Sequence, residues 1–221
     1  RQGGGVLTSA QQLDFSKGSI FRHILRLAGP MTLAQLINVL YNIVDRIFVG
    51  QIGGEGSLAL TGLGVCFPVI TIVIAFTNLI GMGGAPLFSI TRGAGDDEEA
   101  ARILGNSFTL LLLFGVLLTA AGLAVKTPLL RALGASDATL PYADAYLTVY
   151  LFGSVFVSLS LGLNSFINAQ GFARTGMLTV AIGAVLNLIL DPLFIMVFHM
   201  GVQGAALATI LSQAVSAAWP L

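Results

Sequence analysis

Three acidic side chains, Asp45, Asp144 and Asp191, lie within otherwise apolar runs. An ionised carboxylate in hydrocarbon costs roughly +2.5 to +3.5 kcal/mol on insertion scales, so its presence points to chemistry: holding a cation or holding a proton. Asp144 sits near the start of its run and is expected to be a solvated helix-end residue. Asp45 closes a polar stripe. At 100° per residue, Gln35, Asn38, Asn42 and Asp45 fall within about 80° of one another, and Tyr41 flanks them. Ile37, Leu40, Val44 and Ile47 form the opposite face. Each amide alone would be satisfied by an interhelical hydrogen bond. Four polar residues in line suit a water-filled pathway. Asn187 and Asp191, four apart, stack on one helix face. Pro192 follows and cannot donate to the helix ladder, so the Leu188 carbonyl loses its partner and a kink is expected. A carboxylate, an amide and a freed carbonyl are oxygen ligands for a hard monovalent cation, or a protonation site.

Other chemistries find no residues to carry them. The single cysteine, Cys66, lies in an apolar run and reads as a small buried hydrophobe. His23 and His199 share no metal-ligand spacing, and no P-loop, Ser/His/Asp grouping or HExxH motif occurs. The chain is therefore expected to be no enzyme, with no catalytic residues and no cofactor. A formal net charge of +0 offers no footprint for nucleic acid.

The elements that must position these groups are membrane helices. Of 221 residues, 56% are hydrophobic and 9% charged, against about 25% charged in a soluble domain. The mean hydropathy is +0.92. Six runs reach the length of about 20 residues needed to cross a bilayer, at about 24–50, 58–90, 103–125, 140–167, 176–198 and 202–221. Turn formers separate them: Gly50–Gly54, Arg92–Asp96, Gly134–Asp137 and Gly171–Arg174. The second run, with Pro68 and a flexible Gly81-Met82-Gly83-Gly84 cluster, is long enough to tilt or kink. Gly201, Gly204, Ala205, Ala206 and Ala208 form a small-residue surface for close helix packing. Asp96 with Glu99 has the spacing of a capping box.

Residues 1–23 read as a polar cytoplasmic leader and 24–221 as a six-helix transmembrane unit. Arg1, Lys17, Arg22, Arg26, Arg92, Arg102 and Arg174 fall on one side, and Arg46, Lys126 and Arg131 on the other, which favours a cytoplasmic N-terminus. In that orientation Asp45, Asp191 and Thr209 lie at nearly one depth, about five to seven residues from the outer surface. Two carboxylates so placed require a cation between them or a proton on one. The first residue is Arg and the last run ends without a polar tail, so the chain is read as a fragment.

The run Asn187-Leu188-Ile189-Leu190-Asp191-Pro192-Leu193-Phe194-Ile195 resembles a signature of the multidrug and toxic compound extrusion (MATE) transporters. So do Gly201-Val202-Gln203-Gly204-Ala205-Ala206-Leu207-Ala208-Thr209 with Ser212-Gln213, and Val44-Asp45-Arg46-Ile47-Phe48-Val49-Gly50 leading to Ala59–Gly64. Arg92-Gly93-Ala94-Gly95-Asp96 belongs to the same pattern, and the likeness extends from about Pro30 to the end of the chain. The resemblance implies an all-α integral membrane protein: a six-helix bundle forming one lobe, the N-terminal one, of a twelve-helix transporter whose C-terminal lobe is missing here. It implies a secondary antiporter of the plasma membrane that exports organic cations and amphipathic drugs in exchange for Na⁺ or H⁺. It carries the cation site onto Asp45, Asn187, Asp191 and Thr209, the pathway onto Tyr41 and Asn164, and a hinge onto Pro30, beside the kink at Pro192. Two alternatives stand beside it. One is a lipid-linked oligosaccharide flippase of the same superfamily, which would need deep basic residues; the other is a non-transporting receptor or subunit.

Overall fold

The computed structural model describes residues 20–219. It contains six α-helices: α1 (Ile20–Gly50), α2 (Gly56–Gly93), α3 (Asp97–Ala132), α4 (Leu140–Ala169), α5 (Ala173–Pro192) and α6 (Gly201–Ala218). A π turn, Leu193–Val197, follows α5. The expected leader over residues 1–23 falls largely outside the described residues, and α1 already includes residues 20–23. Five helical segments are long and apolar enough to cross a bilayer, the fifth comprising α5 with its π turn. The expected sixth span corresponds to α6, which has 18 residues and is not among those five.

The breaks form where the turn residues predicted them. At the end of α4, Gly171 adopts φ +86°, which lets Phe172 N–H reach the Ile167 carbonyl (3.2 Å) and Gly171 N–H reach that of Asn168 (3.0 Å). This is the glycine-closed helix end that leaves few orphan carbonyls. At the start of α3 the Asp96 carboxylate accepts from Glu99 N–H at 3.0 Å, the first arm of the expected capping box.

Helix α4 is the centre of the bundle, and α2, α3 and α6 pack around it. Gly62 lies against Ala143, Thr77 Oγ1 donates to Ser158 Oγ (3.0 Å), Gly81 lies against Gly162, and Arg92 Nη1 donates to Gln170 Oε1 (2.8 Å). The paired numbers keep a nearly constant difference, so α2 and α4 run parallel. Pairs between α3 and α4, Thr119 with Ser154 and Lys126 with Asp144, run the other way and mark an antiparallel hairpin. Within the cluster expected to be flexible, Gly81 and Gly84 form a packing seam in a continuous helix, while Gly83 faces open space. A Cβ at Gly81 would lie 3.0 Å from Ser165 Oγ, and one at Gly84 would lie 2.8 Å from the Phe166 ring. Cys66 is buried, as read from the sequence, and its thiol donates to the Ala143 carbonyl at 3.3 Å. Leu113, Val116 and Leu117 on α3 and Leu79 on α2 are exposed, as an outer surface bathed in lipid requires.

Asp144 lies near the start of α4 and keeps 33% of its side chain exposed, as a helix-end residue does, but it is paired rather than merely solvated. Lys126 Nζ meets its Oδ2 at 2.6 Å and also reaches Thr148 Oγ1, while Thr127 Oγ1 donates to its Oδ1 at 3.2 Å. Both charged groups are mostly covered, and the pair ties α3 to α4 near the tip of their hairpin.

Candidate cation site and its cavity

Helix α1 lies apart from the α4-centred core and packs chiefly on α5. The gap between it and α2, α4, α5 and α6 is a cavity of about 960 Å³. The expected stripe faces it: Gln35, Asn38, Tyr41, Asn42 and Asp45 all line this space, and so does Asn164 from α4. Asn42 Nδ2 donates to the Asn38 carbonyl (2.7 Å) and to Asn38 Oδ1 (3.1 Å), so the amides brace one another along α1. The opposite face divides: Leu40 and Ile47 are exposed, whereas Ile37 and Val44 are half-buried.

At one end of the stripe the carboxylates of Asp45 and Asp191 face each other across α1 and α5, close enough to interact. Asp191 is 0% and Asn187 2% exposed, one layer behind the cavity wall to which Asp45 and Thr209 contribute. Asn187 Nδ2 donates to Asp191 Oδ1 at 3.2 Å and reaches Thr209 Oγ1 at 3.5 Å. Thr209 Oγ1 in turn donates to the Ala205 carbonyl at 3.1 Å. Among the described residues five buried side-chain oxygens lack partners, and three of them belong to this site: Asp45 Oδ1, Asn187 Oδ1 and Asp191 Oδ2. Unpaired buried acceptors are costly, and three of them converging supply what a desolvated cation or a shared proton would satisfy.

Pro192 lies at the end of α5, and the chain goes on into the π turn rather than into another α-helical turn. Leu193 N–H bonds to Leu190 O, three residues back, and Phe198 N–H to Leu193 O at 2.9 Å. The expected kink is thus a change of helix type, which follows from a residue without an N–H at the handover. Pro30 lies within α1, whose helix runs on through it.

The chain as a whole has known relatives. Residues 30–193 match the family described as MatE. The chain belongs to the MatE family. Among its MatE relatives are the multidrug export protein MepA of Staphylococcus haemolyticus and the probable multidrug resistance protein YpnP of Bacillus subtilis, each 30% identical. The matches cover 93% and 92% of this chain, and the chain spans 45% of the length of either relative. A structure solved as the outward-facing conformation of a multidrug resistance MATE family transporter of the MOP superfamily superposes with a TM-score of 0.85 at 33% identity. That superposition covers 91% of this chain and 44% of that one.

The MatE cavity also has walls that the sequence reading did not single out. Tyr146 and Tyr150 on α4, Asn168 and Gln213 line it as well. Two of these carried a legible signal, because Asn168 lies four residues after Asn164 and Gln213 four after Thr209, on the same helix faces. Asn168 Nδ2 donates to Asn164 Oδ1 (2.8 Å), and Asn164 Nδ2 to the Gly176 carbonyl (2.9 Å), so a second amide relay joins α4 to α5. The tyrosines stack at 6.2 Å between ring centroids within an apolar helix and carried no such signal.

Proposed function

We propose that this chain forms one lobe of a secondary antiporter that exports organic cations and amphipathic drugs across the plasma membrane in exchange for Na⁺ or H⁺. The observation that carries the reading is the Asp45–Asp191 pair, two carboxylates from different helices with unpaired oxygens beside a cavity of about 960 Å³. A positively charged drug in the cavity and a small cation at the pair compete for the same negative charge. The bound species favours one of two lobe arrangements to the extent that it binds the two differently. Asn187 and Thr209 orient the pair and share in holding the ion; Gln35, Asn38, Tyr41, Asn42 and Asn164 wet the pathway. In this reading a second lobe closes the open side of the cavity, Pro30 and Pro192 are the points where α1 and α5 bend, and the N-terminus is cytoplasmic. The names of the relatives, both for multidrug export or resistance, accord with it. The flippase reading is not favoured, because Arg46 is the only basic side chain among the described residues lining the cavity.

The test is efflux of a fluorescent organic cation from liposomes holding the full-length protein, driven first by a Na⁺ gradient alone and then by a H⁺ gradient alone. Flux driven by one gradient, and lost in Asp191→Asn while insertion is retained, is the expected result. Equal flux in Asp191→Asn would sink the coupling role of the pair.

A further inference from the structure

Two of the three helices that carry the cation site are joined by a short, unusual connection. After Asp191 and Pro192 come the π turn Leu193–Val197, then Phe198, then His199 at φ +53°, Met200, and Gly201 at φ +57°, where α6 begins. Phe194 stacks on Phe198 with ring centroids 5.9 Å apart, Ile195 is buried, and Met200 N–H returns to the Phe194 carbonyl at 2.9 Å. The connection is therefore a folded block rather than a slack loop. The first turn of α6 is pressed against it at Gly204. A Cβ built there would lie 2.9 Å from the Phe194 carbonyl carbon, 3.0 Å from Phe194 Cβ and 3.1 Å from Met200 Cβ.

We propose that Gly204 is a positioning residue: the absence of its side chain lets α6 seat on the π turn, and that seat sets the height at which Thr209 meets Asn187 and Asp191. Carbon atoms settle at about 3.5–4.0 Å, so a methyl group at Gly204 forces the two backbones apart by roughly half an ångström. Because the obstructing atom is backbone carbon, no side-chain rotation relieves it. Thr209 lies five residues, about 7.5 Å, further along the same helix, and a helix transmits such a shift nearly undiminished. The Asn187 Nδ2 to Thr209 Oγ1 distance is already 3.5 Å, at the edge of a hydrogen bond, so half an ångström breaks it. The sign is distinctive, since alanine is ordinarily favoured over glycine inside a helix.

The consequence for cation affinity rests on the function proposed above; the effect on geometry does not, and the experiment separates them. In the full-length protein with its Cys66 replaced by Ala, the pair Asn187→Cys with Thr209→Cys is oxidised in the membrane and disulfide yield is measured. High yield is expected, falling severalfold when Gly204→Ala is added and unchanged by Gly105→Ala, a helical glycine with nothing within 4 Å. In the otherwise native protein, the Na⁺ concentration (or the pH) at half-maximal thermal stabilisation is read. Gly204→Ala is expected to shift that midpoint about tenfold, but to shift it no further in a Thr209→Ala background, whereas a merely structural defect would add in both. Undiminished crosslinking in Gly204→Ala, or an additive shift in the Thr209→Ala background, overturns the proposal. Crosslinking lost while the native protein shows no cation dependence upholds the seat and overturns the cation reading. If Gly204→Ala does not accumulate in the membrane, Phe194→Ala, which removes the ring but keeps the backbone seat, decides: retained crosslinking upholds the proposal, and its loss places the control in the ring stack and overturns it.

Discussion

Helices α4 and α1 belong to one bundle but differ in almost every physical respect. In the most apolar stretch of α4, 67% of the residues are buried; among the described side chains of α1, only Ala34 and Val49 are. Helix α4 exchanges side-chain hydrogen bonds with α2, α3 and α5 through Ser158, Ser154, Asp144 and Asn164. Among the described residues, the side-chain hydrogen bonds of α1 stay within it, from Asn42 to Asn38. Among its described side chains, Asp45 meets a polar group of a neighbouring helix, Asp191. Polar groups on α4 are spent on fastening, and those on α1 are left facing an open space. In lipid, where apolar burial gives no hydrophobic drive between helices, this difference separates the fastened scaffold from the helix that lines the cavity.

Substitutions break or sharpen that contrast, in decreasing order of effect on stability. Phe166→Ala removes an α4 ring that is 1% exposed and meets Phe88 edge-on, and it should cost about 3–5 kcal/mol in reversible unfolding in mixed micelles. Lys126→Met leaves the largely covered Asp144 carboxylate without its counterion. It should cost about 1–2 kcal/mol, less than a fully buried pair because both side chains keep some solvent contact, and Lys126→Met with Asp144→Leu should recover most of it. Ser154→Ala removes a buried hydroxyl that meets Thr119 Oγ1 at 2.8 Å and the Gly115 carbonyl at 3.4 Å, and should cost about 1 kcal/mol. Asn42→Ala on α1 should change stability by less than about 0.5 kcal/mol yet lower gradient-driven efflux. A stability loss at Asn42 as large as that at Ser154 would erase the division between the two helices.

The sequence made the helices legible because hydrocarbon leaves so few options: every backbone polar group must be satisfied internally. The stripe on α1 was legible from angular spacing, and Asn187 with Asp191 from an i,i+4 step. Contacts between helices were harder. The Lys126–Asp144 pair was missed because its members are 18 residues apart on different helices. The two positions are nevertheless mirror images about Ala135, in the turn of the hairpin, so the register was available once the hairpin was assumed. The role of the glycines near Met82 was misread because glycine serves flexibility and close packing equally well, and only the neighbouring helix decides between them. The parallel seam between α2 and α4 had no local signal at all.

That seam also constrains how the protein is made. Its partners lie about 80 positions apart, from Cys66 with Ala143 to Ser89 with Ala169. Chains emerge at about 5–20 residues per second, so α2 waits roughly 4 to 16 seconds in the membrane before the partner of its glycine and hydroxyl face has been synthesised. During that interval α2 and α3 hold a nascent hairpin with an open flank, a target for insertion chaperones or for quality-control proteases. Substitutions that roughen the α2 face would therefore be felt first in yield, before any assay of the finished molecule.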